Sequence, residues 1–288
     1  MRSFATLFRC FSFALALGAG VGTAAAQTTL TFGSYTSEEP AELIKQVRPA
    51  LDVVARRLSA ELDSSVTIRI EIARTYDEGV KLIVDRRADF MRLGAASYIA
   101  AREKDPGISL LVVESLRGKS IFNGVIAVHR DSDIRELSQL KGRSFAFGSP
   151  ESTLGRYFAQ QRLLRAGIRA QDLSRFAYLE RHDLVGEAVG AGRFDAGALE
   201  ETMFRKLADS GTPIRALVSY PNITRPWAVR SRLDPKLLFA LRRQLLAMDA
   251  PDALKAMRFD GFLDGREADF EPTRQAMTES RVFGEPRR

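Results

Sequence analysis

Short apolar runs alternate with longer stretches of helical periodicity along this chain, and the alternation breaks off and starts again near the middle. Residues 30–35 read as a strand ending in a turn. Residues 42–62 read as a long helix with Leu43, Val47, Leu51, Val54, Ala55 and Leu58 on one face. Residues 66–72 alternate apolar with polar and predict a strand. A helix over 77–87, a short strand over 88–94 and a helix over 95–103 follow, then strands over 110–114 and 125–129. The pattern restarts with a short helix over 134–140, a strand over 144–148 and an amphipathic helix running to residue 164. Beyond it come a helix over 184–191, strands over 196–199 and 214–218, and a helical tail over 235–248. Such alternation means parallel sheets covered by helices on both faces. Two units in this length exceed one ordinary core, and no internal repeat or low-complexity linker separates them. A chain that leaves one lobe and later returns to it produces this pattern. The expected first lobe is residues 27–128 with 227–288, and the second is 129–226. Two extended crossings, near 125–129 and 222–229, are expected to act as the hinge.

The N-terminus constrains where such a fold operates. Arg2 and Arg9 precede and flank an apolar stretch over 11–21, and small residues occupy 23–26. This predicts a secretory signal peptide cleaved after Ala26, and so a periplasmic protein. The apolar stretch is shorter than the ~20 residues of a spanning helix. Cleavage removes Cys10, the only cysteine, so no disulfide or thiolate metal site is expected in the mature chain. The formal net charge is +7, carried mostly by arginines spread singly and in pairs such as Arg56-Arg57, Arg86-Arg87 and Arg242-Arg243. This balance suits anionic ligands. No basic run is interleaved with aromatics, which argues against a nucleic-acid partner.

Chemical handles are few. His-Glu-x-x-His, Gly-x-Ser-x-Gly and Walker signatures are missing from the sequence, and His129 and His182 are its only histidines. No metal and no cofactor are expected. One stretch stands out: Ser152-Thr153-Leu154-Gly155 lies where a helix begins. The first N–H groups of a helix have no partner within it and bind anions readily. Hydroxyls beside them add donors, and Gly155 lets the backbone come close to a ligand. The stretch by itself admits two readings, an oxyanion cradle or a plain N-cap.

The surrounding residues bear on that choice. Phe32-Gly33, Val47-Arg48-Pro49-Ala50-Leu51 and Thr75-Tyr76-Asp77 are followed by Ala88-Asp89-Phe90, Leu93-Gly94 and Ser97-Tyr98-Ile99-Ala100-Ala101. Then come Val128-His129-Arg130-Asp131-Ser132-Asp133-Ile134, Leu137-Ser138-Gln139-Leu140-Lys141-Gly142, Phe145-Ala146-Phe147, His182-Asp183 and Phe194-Asp195-Ala196-Gly197-Ala198. In this order the segments resemble the substrate-binding proteins of phosphonate, phosphite and phosphate ABC transporters (the PhnD-like family). The resemblance implies a type II periplasmic binding fold, two α/β lobes closing on a ligand at the hinge. It also implies a ligand gripped by Ser152 and Thr153 with Tyr76 and His182. Tyr98 is a further candidate and Asp195 is expected to order a turn. Glu200 and Glu201 both fall within a residue or two of the acid that members binding an aminoalkyl phosphonate use for the amine, and Glu201 is the candidate taken.

Departures from the family pattern bear on the ligand. Leu154 stands where the family has a second serine, and Phe122, a candidate that can pack on a ligand but cannot donate, stands where many members have a tyrosine. Arg225 precedes Pro226 where an aspartate is common. Arg181 and Arg92 replace small and apolar residues. A guanidinium fork suits carboxylate and phosphate. These arginines either mark a ligand more anionic than an aminoalkyl phosphonate or form internal ion pairs and face solvent. The function implied is capture of a small oxyanion by a monomer, without chemical reaction, for an ABC permease. The alternatives are signalling to a membrane sensor kinase, or an enzyme using His182 with Ser152.

Overall fold

The computed structural model describes residues 27–36 and 39–284. The signal-peptide reading concerns residues outside that range. The chain begins with β1 (Gln27–Tyr35), α1 (Pro40–Leu62), β2 (Ser65–Ala73), α2 (Tyr76–Val84), β3 (Phe90–Arg92), α3 (Ala95–Lys104) and β4 (Ser109–Ser115). After a short loop come β5 (Ile121–His129), β6 (Ser144–Phe147), a wide helical turn (Thr153–Phe158) that runs into α4 (Ala159–Arg165), and β7 (Arg175–Tyr178). They are followed by α5 (His182–Gly190), β8 (Ala196–Glu200), α6 (Glu201–Asp209) and β9 (Ile214–Ile223). The last part holds β10 (Pro226–Val229), α7 (Pro235–Leu246), α8 (Pro251–Met257), β11 (Gly261–Leu263) and α9 (Glu271–Ser280).

These strands form two sheets. The first has the order β11-β4-β10-β3-β1-β2 and the second β7-β6-β8-β5-β9. In the first, β1 runs parallel to β2 and β3, and β10 is antiparallel to both its neighbours. In the second, β6 runs parallel to β7 and β8, and β5 is antiparallel to β8 and β9. The first core sets Trp227 against Phe32, with ring centroids 5.0 Å apart, and against Phe262 at 4.9 Å. Helix α1 covers it with Leu43, Val47, Leu51, Val54 and Leu58, the face its apolar spacing defines. Pro40 starts that helix, and Asp63 ends it in the left-handed conformation (φ 48°). The second core is built on Phe145, Phe147, Phe176 and Phe283.

The arrangement differs from expectation in three places. Residues 125–129 are not a crossing: they lie inside β5, bonded on both sides by β8 and β9. Their apolar run reflects a central strand with both faces covered. The chain passes between sheets earlier, over 116–120, and returns at Thr224 and Arg225. The two passages run side by side, with Thr224 N–H donating to the Ser120 carbonyl at 3.0 Å. The C-terminal residues also depart from the assignment of 227–288 to the first lobe. Helix α9 packs on the wide turn and α4 of the second lobe, and Phe283 enters the second core. Phe270, just before α9, stays in the first. The helix expected over 134–140 is a 3-10 turn, Leu137–Leu140.

Candidate ligand-binding site

Parallel strands that lead directly into helices bring the helix starts to one edge of each sheet, the usual place for a ligand in α/β folds. Here the two edges face each other across a cavity of ≈ 470 Å³. Tyr76 opens α2, Gly94 and Ala95 open α3, Ser152 and Thr153 open the wide turn, and His182 opens α5; all of them line the cavity. Each helix start presents N–H groups with partial positive charge.

Ser152 caps its turn: its Oγ accepts from Gly155 N–H at 2.9 Å, and its carbonyl accepts from both Arg156 and Tyr157 N–H. Thr153 reaches across the cleft. Its Oγ1 accepts from Ala96 N–H of α3 at 3.0 Å, so a second-lobe hydroxyl caps a first-lobe helix. Two residues earlier, the Gly94 N–H donates to the Tyr35 hydroxyl at 2.8 Å, and the same hydroxyl pairs with Ser97 at 2.9 Å. Tyr35 and Tyr76 pack with ring centroids 4.5 Å apart. Burial raises the pKa of both phenols, and the neighbouring Tyr35 raises that of Tyr76 further, so both stay neutral donors. Gly155 serves packing: a Cβ there would stand 2.9 Å from Ser152 Oγ and 3.0 Å from Gly148 Cα. The two glycines let the turn touch β6, where Gly148 N–H donates to the Gly155 carbonyl at 2.9 Å.

The three arginines singled out by sequence all line the cavity, and each has a carboxylate partner. Arg92 makes a two-pronged pair with Glu114, whose carboxylate also accepts from the Trp227 indole N–H at 3.1 Å. Arg181 pairs with Asp183. Arg225 donates to Glu200 at 2.6 Å and lies over the Phe122 ring, 5.5 Å from its centroid. Burial pushes the Glu200 carboxyl up, but the charges of Arg225 and His182 outweigh it and hold it below the ordinary carboxylate range.

Tyr76, Phe122, Ser152, Thr153, His182 and Arg225 therefore share one cavity. Three other candidates are not part of the lining: Gly155, which packs on Gly148, and two that face elsewhere. Tyr98 is on the far side of α3, fully buried, bonded to Glu267 and packed on Phe270 at 4.9 Å. Glu201 turns away from the cavity to Arg205 and to Asn123, whose Nδ2 donates at 2.9 Å. Glu200, one residue earlier, faces inward. Asp195 accepts from Ser144 N–H at 2.8 Å and orders the β8 turn. Lining residues missed in the sequence include Tyr35 and Glu114. Tyr35 ends a parallel strand, a position that itself points to the cleft. Glu114 is a lone acid closing an apolar strand.

Two α/β sheets in this strand order, joined by paired crossings, with helix starts meeting in the cleft, define a two-lobed solute-binding protein of the type II periplasmic fold. The profile of the family described as "ABC transporter, phosphonate, periplasmic substrate-binding protein" matches residues 32–270. The chain belongs to that family. A curated relative, the probable ABC transporter phosphite binding protein PhnD1 of Prochlorococcus marinus (strain MIT 9301), is 27% identical over 159 residues. That alignment spans 53% of this chain and 53% of the relative. The solved structure of PhnD1 from the same organism with methylphosphonate superposes with a TM-score of 0.75 at 19% identity, covering 88% of this chain and 99% of that one. A Xanthomonas citri protein bound to ATP gives 0.74 at 21% identity, covering 90% and 100%. The structural likenesses establish the fold.

Proposed function

We propose that this protein captures a small tetrahedral oxyanion, a phosphonate or phosphite, by closure of its two lobes, and hands it to an ABC permease. The supporting observation is the meeting of helix starts from both lobes, with Thr153 Oγ1 3.0 Å from Ala96 N–H. An oxyanion placed there accepts from N–H groups of α3 and from the hydroxyls of Thr153, Ser152 and Tyr76, while His182 closes the side. Helix dipoles supply the favourable potential, so the site needs no unpaired cation. Closure excludes water and strengthens each of these bonds. Capture involves no covalent step: Ser152 Oγ is engaged as a cap on Gly155 N–H, which suits it to positioning. The protein works as a monomer in the periplasm, reached through cleavage after Ala26.

Thermal shift with methylphosphonate, phosphite, phosphate, sulfate and acetate tests this. A ligand at ~1,000 Kd stabilises the folded state by about 4 kcal/mol. The expected outcome is a large rise with methylphosphonate or phosphite and a small one with acetate. No rise with any phosphorus oxyanion would overturn the reading.

A further inference from the structure

The charged residues that line the cavity divide by depth. Glu39, Glu42, Glu180, Lys206 and Arg258 are exposed at its rim. Arg92, Glu114, Arg181, Asp183, Glu200 and Arg225 reach inside, and they form three ion pairs. Among the described residues, every carboxylate of the interior thus has an arginine partner. The converging helix starts favour one negative group, and the side chains around it are already balanced.

Arg225 is held in place on three sides. Its backbone carbonyl accepts from Glu114 N–H at 3.1 Å, and Pro226 follows it directly. Its guanidinium lies over Phe122, and its edge meets Glu200. The Arg225 side chain is 34% exposed and that of Glu200 15%, so the pair stands at the cavity wall. A cation arriving with the ligand would have to share one carboxylate with Arg225 at low dielectric. A second anion would meet Glu200, held in its charged form.

We infer that the substituent on the bound oxyanion is uncharged, and that Arg225 is a specificity-determining residue whose guanidinium occupies the carboxylate a ligand cation would otherwise take. The inference rests on the phosphonate reading above. Phe122, beneath the guanidinium, offers an apolar face to a short alkyl group.

Calorimetric titration of the full chain with n-propylphosphonate, 2-aminoethylphosphonate and phosphonoacetate tests it. The propyl compound matches the amine in size and lacks its charge. It is expected to bind at least ~10-fold more tightly than either charged ligand, about 1.4 kcal/mol. Arg225→Gln uncovers Glu200 and should shift the ratio at least ~10-fold toward the amine. Glu200→Gln frees Arg225 and should shift it toward phosphonoacetate. Equal or tighter binding of 2-aminoethylphosphonate to the unaltered protein overturns the inference alone, whether or not the variants fold. An unchanged ratio in a folded Arg225→Gln protein does the same. Failure of all three ligands to bind overturns the phosphonate reading and the inference with it.

Discussion

Arg92–Glu114 and Arg225–Glu200 line the same cavity with the same chemistry, yet they stand in different mechanical settings. Arg92, Trp227 and Glu114 come from β3, β10 and β4, three adjacent strands of one sheet. One carboxylate, 6% exposed, takes both prongs of the guanidinium and the indole N–H, and so ties the three strands together. Arg225 belongs to the crossing and Glu200 to the second lobe, and a single bond joins them beside open space. The first pair is an internal staple of a rigid body. The second joins the hinge to a lobe where a ligand can compete for either partner. An ion pair's worth is set by what it leaves behind when broken: a buried orphan in the first case, a group that water or ligand can reach in the second.

The largest expected effect tests that contrast directly. Glu114→Ala leaves Arg92 and the Trp227 indole without their acceptor and should destabilise the fold by about 3–5 kcal/mol, the range for breaking a buried pair. Glu200→Ala should cost on the order of 1 kcal/mol, because its partner is one-third exposed. Denaturant melts of both variants decide this, and equal losses would erase the distinction. Next in size is Thr153→Val, which removes a cleft hydroxyl outside both pairs. It should weaken oxyanion binding by about 1.5–3 kcal/mol, as for hydrogen bonds to charged groups, and should cost the empty protein only about 1 kcal/mol, as for loss of the cap on α3. A fall in melting temperature with affinity intact would make Thr153 a structural staple like Glu114. The smallest effect is in pH. Glu200 is held below its ordinary value of 4.5 in the folded protein. Its stabilising contribution is therefore complete above that value and is lost as the pH falls through the folded-state pKa. The stability gap between the unaltered protein and Glu200→Gln should be flat from neutral pH down to about 5 and narrow below 4.5. A gap that widens on acidification would contradict the sign.

The elements that bury one clear stripe were legible in the sequence. Helix α1 shows its face at intervals of three and four residues, and β2 alternates, so both could be located. The crossing could not. The run from Val125 to Val128 is apolar because β5 lies between two strands, and a passage between lobes can show the same composition. Short elements such as β7, β11 and α8 carry too few residues for a period to emerge. In the site, Ser152 and Thr153 were visible because hydroxyls at a helix start have a local purpose. Glu200 and Glu201 could not be told apart without register, since neighbours at a strand end point to opposite sides. Tyr98 was misread because residues on one short helix share a sequence neighbourhood while facing opposite ways. Gly94 of that helix touches the cavity and Tyr98 the core. The arginines could be flagged but not oriented, because their partners lie 2 to 25 residues away.

The route of the chain also fixes when each lobe can be finished. Strand β10 sits in the middle of the first sheet, bonded to β3 and β4, yet it is synthesised after the whole of β5 to β9. The second lobe waits longer still, since Phe283 fills a place beside Phe147 and Phe176 with ring centroids 5.6 and 5.8 Å away. While the ribosome is still at work, the first sheet lacks its central strand and the second core lacks its last ring. The stretch from Phe270 to Phe283 contributes to the first core at one end and to the second at the other. A chain laid out in this way leaves both lobes incomplete until β10 and Phe283 have been made.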